Sequence, residues 1–146
     1  WAGPDAYFRR CFETRKEILE NLGIESYTRA SMLQLLPPWW ISENDGAVEE
    51  QARARSGNDI PVEIIASRID AIMAFDRRAR LSEITLPTMV ICARDDTVTP
   101  LHQSNELASN ISGAELVTLE RGGHFSPVIL PEQFNSPVLE FLLRHA

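Results

Sequence analysis

The run Thr88-Met-Val-Ile-Cys-Ala93 constrains the fold of this chain more than any other stretch. It is largely apolar, of good β-propensity, and does not alternate between apolar and polar residues as a half-exposed strand would. Pro87 marks its start and Asp95-Asp96 its end. Such a run predicts a parallel strand covered on both faces. Pro100 then opens a helix through about Asn110, Gly113 turns the chain, and Glu115 to Leu119 supplies a second strand. Strand, helix and strand predict a right-handed parallel unit. A last helix from Pro131, with Phe134, Val138, Phe141 and Leu142 on its inner side, packs back onto the sheet. Two parallel strands cannot stand alone, because much of both faces and their edges would stay uncovered.

Before Arg80 the pattern is helical throughout. A first helix is expected from Pro4 to about Leu22, with Gly23 stopping it, and Phe8, Cys11, Phe12, Leu19 and Leu22 on one apolar face. A second runs from about Glu25 to Leu35 and breaks at Pro37-Pro38. Ser42 is placed to cap a third helix reaching Ser56, where Gly57-Asn58-Asp59 interrupts. A fourth begins near Pro61 and carries Val62, Ile65, Ile69, Ile72 and Met73 as a core stripe. Four helices with separate apolar faces need a common surface, and a lid over a sheet would provide it. The organisation expected is a helical cap over residues 1–80 and a strand–helix region over 81–146.

Composition narrows the class. At 146 residues, 44% apolar and 24% charged, the chain has the make-up of a globular domain. A net charge of −7 leaves no basic surface to neutralise phosphates and argues against a nucleic-acid partner. No apolar run approaches the roughly 18 residues of a membrane span, so no membrane partner is expected. Trp1-Ala-Gly-Pro-Asp5 runs into a charged amphipathic segment without the apolar centre of a secretion signal. Cys11 and Cys92 make no disulfide framework, and a cytoplasmic location is the expectation. Three scattered histidines and two distant cysteines lack ligand spacing, so no metal is expected. No glycine-rich phosphate cradle is present, and no cofactor is expected.

The residues that carry chemistry are Asp96 and His124. Each falls at the carboxyl end of an expected strand, where reactive groups gather in parallel sheets, and parallel strands put them on one rim. A carboxylate accepting from imidazole Nδ1–H would fix the tautomer and leave Nε2 free to take a proton from a nucleophile. Gly122-Gly123 would let the backbone turn so that the ring reaches over the sheet. Asp95 competes for the acid role, but Asp96 lies at the loop tip just ahead of Thr99-Pro100, and Asp95 is assigned to local backbone amides. His102, at a helix start, and His145, near the terminus, are expected to be solvated. None of the seven glycines lies in a G-x-S-x-G elbow, and the first residue is Trp, so the nucleophile is expected in an amino-terminal portion preceding this chain.

The segment Ile84-Thr-Leu-Pro-Thr-Met-Val-Ile-Cys-Ala-Arg-Asp-Asp-Thr-Val-Thr-Pro100, followed by Gly122-Gly-His124 and Pro131-Glu-Gln-Phe-Asn135, resembles the carboxyl-terminal part of the α/β-hydrolase superfamily. Arg9-Arg10-Cys11-Phe12, Trp40 after the proline pair, and Phe75-Asp76 are similar to one branch, the pyrimidine-utilisation protein D (aminoacrylate hydrolase-like) family, near the 3-oxoadipate enol-lactonases. The resemblance implies an α/β fold of which this chain holds the cap and the last two strands with flanking helices. It maps Asp96 to the triad acid and His124 to the general base, with the nucleophile and oxyanion hole mapping to no position here. Trp39 and Trp40 are candidates to roof the substrate cavity, with simple packing of cap on sheet as the alternative. Val98 and Phe125, each beside a catalytic loop, are candidate pocket walls.

The function expected is that of the carboxyl-terminal portion of a cofactor-independent hydrolase of a small ester, lactone, carbamate or aminoacrylate-type substrate. Alone, the chain is expected to be inactive. The rival class is a non-catalytic ligand- or partner-binding protein on the same scaffold. The open strand edge and orphaned cap faces predict association with a missing amino-terminal half or with a second copy.

Overall fold

The first long helix, α1, spans Ala6–Leu35 and is interrupted once, at Gly23. The computed structural model describes residues 1–57 and 60–146; the Asn58-Asp59 part of the expected break lies outside the described residues. Gly23 has φ 79° and ψ 177°, a conformation that a Cβ would oppose, so the expected stop becomes a kink between two helical halves. Asp5 caps α1 by accepting from the Phe8 amide at 2.8 Å.

Pro38 opens α2 (Pro38–Glu43), its missing N–H costing nothing at a first-turn position. Ser42, expected as a cap, lies inside α2 and donates to the Pro38 carbonyl at 3.0 Å. Asn44 instead separates α2 from α3 (Asp45–Ser56). The fourth helix, α4 (Val62–Ala74), follows Pro61, and a 3₁₀ turn at Arg78–Glu83 leads to the sheet.

Phe8, Phe12, Leu19, Met32 and Leu35 of α1 are buried with Val48 and Ala52 of α3 and Ile69 of α4. Val98, from the loop after the first strand, is buried in the same cluster. One apolar core therefore spans the helical segment and the acid loop. Trp1 stacks on Phe8 and Phe8 on Phe12, with ring centroids 5.3 and 4.4 Å apart.

Strands β1 (Met89–Ala93) and β2 (Glu115–Leu119) pair in parallel, Met89 opposite Glu115 and Ala93 opposite Leu119. Helix α5 (Leu101–Asn110) makes the crossover. A one-turn α6 (Ser126–Ile129), not anticipated from sequence, precedes α7 (Pro131–Arg144). Phe141 is buried and Phe134 and Val138 half-buried, as the inner face requires, but Leu142 is exposed. Leu86, Val128, Leu139 and Leu143 are exposed too. Each strand has one partner among the described residues, so each keeps an open edge.

Asp5 also joins the two segments: its Oδ2 lies 2.6 Å from His102 Nε2 and 3.2 Å from Gln103 Nε2 on α5. His102 is solvated, as expected, its side chain 60% exposed, and it is also paired with Asp5. Burial pushes the Asp5 carboxyl up, but the Phe8 amide, His102 and Gln103 outweigh it and hold it at about 2, below its ordinary 3.8. A carboxyl depressed by folding stabilises above its ordinary value, and that contribution is lost as pH falls through the folded value. Asp5→Asn, which still caps but does not titrate, should therefore lose less stability than wild type between pH 3.8 and about 2 in circular-dichroism melts. Parallel losses in the two proteins would contradict this role.

Candidate active site

Asp96 sits one turn beyond β1 and His124 five residues beyond β2, so the parallel register delivers both to one rim. The Asp96 side chain is enclosed by its own loop. Oδ1 accepts from the Val98 and Thr99 amides at 2.8 and 3.0 Å, and Oδ2 from Thr99 Oγ1 at 2.9 Å. His124 Nδ1 lies 2.9 Å from the same Oδ2. The residue is 7% exposed. Burial pushes its carboxyl up, but the His124 contact and the Thr99 and Val98 amides outweigh it, and the group stays below the ordinary carboxylate value.

An ionised carboxylate only accepts, so the shared contact assigns a hydrogen to His124 Nδ1. The other ring nitrogen then carries a lone pair, and Nε2 has no hydrogen-bond partner among the described residues. This is the arrangement of a general base with its orienting acid.

Two backbone donations hold the histidine loop. Gly123 N donates to Asp95 Oδ1 at 2.8 Å, and Phe125 N donates to the Leu35 carbonyl at 3.2 Å. Asp95 thus binds a backbone amide, as expected of it, but one 28 residues away rather than in its own loop. The tandem acids divide the work: Asp96 orients the ring and Asp95 fixes the backbone that carries it. Gly123 has φ 61°, and a Cβ there would meet Pro37 Cδ at 2.9 Å and the Leu35 carbonyl oxygen at 3.2 Å. Gly123→Ala combines left-handed strain with a backbone collision and should cost about 2–3 kcal/mol in urea unfolding. A loss within about 0.5 kcal/mol of zero would show that the loop is not clamped in this way.

Between the helices and the two loops lies a cavity of about 530 Å³, within the roughly 300–1,000 Å³ of small-molecule sites. Val98, Thr99 and His124 face it from the loops, and Phe12, Ile69 and Ile72 from the helices. Of the residues singled out from sequence, Val98 and His124 therefore line it. Trp39, Trp40 and Phe125 do not: Trp39 lies under the Arg121 guanidinium, 4.5 Å from ring centroid to Cζ, and Trp40 packs against the helical core. Phe125 stacks behind His124 at 6.2 Å, with the Arg55 guanidinium on its ring at 5.2 Å.

Thr99 and Arg15 were not anticipated. The Asp96-x-x-Thr99 spacing was readable as a side chain turned back on its own acid. Arg15, three residues after Phe12 on the apolar face of α1, was readable as a charge placed where the periodicity points inward. No group of three His, Cys, Asp or Glu side chains is arranged to hold a metal among the described residues. No helix among them is long and apolar enough to cross a membrane.

Comparison with known proteins bears on the family and the fold. No family model matches the chain. It is 36% identical over 144 residues to a protein named as a carbamate hydrolase, RutD, of Serratia proteamaculans, and 38% identical over 141 residues to the protein of that name from Azorhizobium caulinodans. These alignments cover 99% and 97% of the chain but 54% and 53% of the relatives. The chain thus spans about half the length of the curated relatives it matches. Among solved structures, it superposes on a hydrolase from Pseudomonas aeruginosa PA01 with a TM-score of 0.80 and 30% identity, covering 97% of this chain and 52% of that one. The enol-lactonase of Burkholderia xenovorans LB400 superposes with a TM-score of 0.81 at 24% identity, covering 92% of this chain and 50% of that one, and supports the fold.

Proposed function

We propose, from the premise that this chain belongs to the α/β-hydrolase superfamily, that it supplies the acid and general base of a catalytic triad. The reaction is cofactor-independent hydrolysis of a small ester, lactone, carbamate or aminoacrylate-type substrate. The observation that carries this reading is the 2.9 Å contact between His124 Nδ1 and a buried, fully hydrogen-bonded Asp96 carboxylate at the wall of a small-molecule cavity.

In this mechanism the nucleophile is a serine-type side chain on a strand–turn–helix elbow in a segment upstream of this chain. His124 Nε2 takes its proton as the nucleophile attacks the substrate carbonyl, and Asp96 stabilises the imidazolium that results. The proton then passes from Nε2 to the leaving group. Water, activated by the same nitrogen, releases the acyl or carbamoyl group in the second half of the cycle.

The upstream segment also completes the sheet by pairing with the open edge of β1. Support comes from the unpaired strand borders and from the exposed Leu139, Leu142 and Leu143 on α7, which a monomer would leave uncovered. A cytoplasmic setting belongs to the same proposal and fits two free cysteines. Joined to an upstream half bearing the elbow, the chain should hydrolyse a nitrophenyl ester, whereas the chain alone should give only the background rate. Equal hydrolysis by the chain alone, or none by the assembled protein on ester, lactone or carbamate, would contradict the proposal. Size-exclusion chromatography of the chain alone should show self-association; a cooperatively folding monomer would contradict the open-edge argument.

A further inference from the structure

We infer that Arg15 is a specificity-determining residue that anchors a carboxylate on the substrate; the inference rests on the hydrolase reading and narrows its substrate class. Arg15, Arg55, Arg68 and His124 all line the cavity, and no Asp or Glu lines it among the described residues. Arg55 and Arg68 are exposed, whereas Arg15 lies deeper, half-buried on α1.

The Arg15 guanidinium is held by two aromatic rings. Its Cζ lies 4.9 Å from the centroid of Phe12 and 5.2 Å from that of Tyr27. One terminal nitrogen, Nη2, donates to Tyr27 Oη at 3.0 Å. Its Nε is buried and has no hydrogen-bond partner among the described residues. No carboxylate among the described residues pairs with it, although elsewhere the arginines form several ion pairs. A guanidinium kept in place by stacking, with a dry unpaired N–H, is unfavourable unless an anion arrives to accept from it. Its planar donor edge suits a carboxylate, which can accept from two parallel N–H groups. The exposed Arg55 and Arg68 add positive potential that draws an anion inward, and Arg55 is already engaged on the Phe125 ring.

The Arg15 guanidinium and the two rings that hold it belong to this chain, so anion binding there can be read without a nucleophile. Butyrate and its uncharged isostere butyramide, titrated into the chain by NMR, should differ in affinity by at least about tenfold in favour of butyrate. Arg15→Met should abolish the preference, while Arg55→Ala and Arg68→Ala should change butyrate binding less than about threefold. Should Arg15→Met unfold the chain by circular dichroism, Arg15→Lys decides, since it keeps the charge and loses the fork. A preference reduced about fivefold in the lysine variant supports the inference. No preference in the wild type, or a preference unchanged in the folded Arg15 variants, overturns it. Such a failure leaves hydrolysis of neutral esters through Asp96 and His124 standing, and failed hydrolysis leaves carboxylate binding standing.

Discussion

Replacing His124 with alanine should lower kcat of the assembled hydrolase by at least about 10⁴-fold while leaving the fold intact. Among the described residues the ring meets three requirements at once. Its Nδ1 is bound to a buried carboxylate, its Nε2 has no partner among the described residues, and it faces the space a substrate would fill. A loss of that size corresponds to roughly 5.5 kcal/mol of transition-state stabilisation, far beyond what removing one packing contact explains. The His124 side chain is one-third exposed, so truncation opens no large internal void and stability should fall little. The measurement is ester hydrolysis beside a thermal melt. A folded variant retaining more than about a tenth of wild-type kcat would contradict the role of His124 as base.

Asp96→Asn is the second large effect, expected at about 10⁴-fold in kcat, and its cause differs. Asp96 Oδ2 receives both His124 Nδ1 and Thr99 Oγ1, while Oδ1 receives two amides. Asparagine keeps one acceptor oxygen and replaces the other with an NH₂ group. The two backbone amides can claim the oxygen, which leaves the NH₂ facing His124. A donor there favours the tautomer with hydrogen on Nε2, and that ring cannot accept a proton from the nucleophile. Thr99 Oγ1, 2.9 Å from the oxygen that the NH₂ replaces, can turn its hydroxyl hydrogen away and accept from that NH₂. The loop should therefore survive, and the loss should appear in kcat more than in KM. An Asp96→Asn enzyme with unchanged kcat would show that the carboxylate does not orient the ring.

Much of this architecture is legible along the chain because its signals are local. The unalternating run ending at Ala93 and the segment from Glu115 to Leu119 form the two strands, since short apolar β-branched runs between turn residues have few other uses. Gly23 is marked as a break because α1 needs a positive φ there. What sequence concealed depends on neighbours distant along the chain. Ser42 has the residue type of a cap, yet Pro38 begins a helix early enough to enclose it. Leu142 lies on the apolar stripe of α7, but nothing among the described residues covers it. Trp39 and Trp40 share a helix of six residues, too short for periodicity to say which ring meets a cavity. Arg15 stands out in sequence only as a charge on an apolar face, and the two rings stacked on its guanidinium appear only in the fold. For the candidate pair itself, position at two strand ends was readable, whereas the donation from Gly123 to Asp95 that fixes the histidine loop was not.

The most direct test is the tautomer of His124, read by long-range ¹H–¹⁵N NMR on the neutral ring. The account predicts hydrogen on Nδ1 and a bare Nε2 in the wild type, with the assignment reversed in Asp96→Asn. Hydrogen on Nε2 in the wild-type protein would contradict it, because that ring could neither be oriented by Asp96 nor take a proton from a nucleophile.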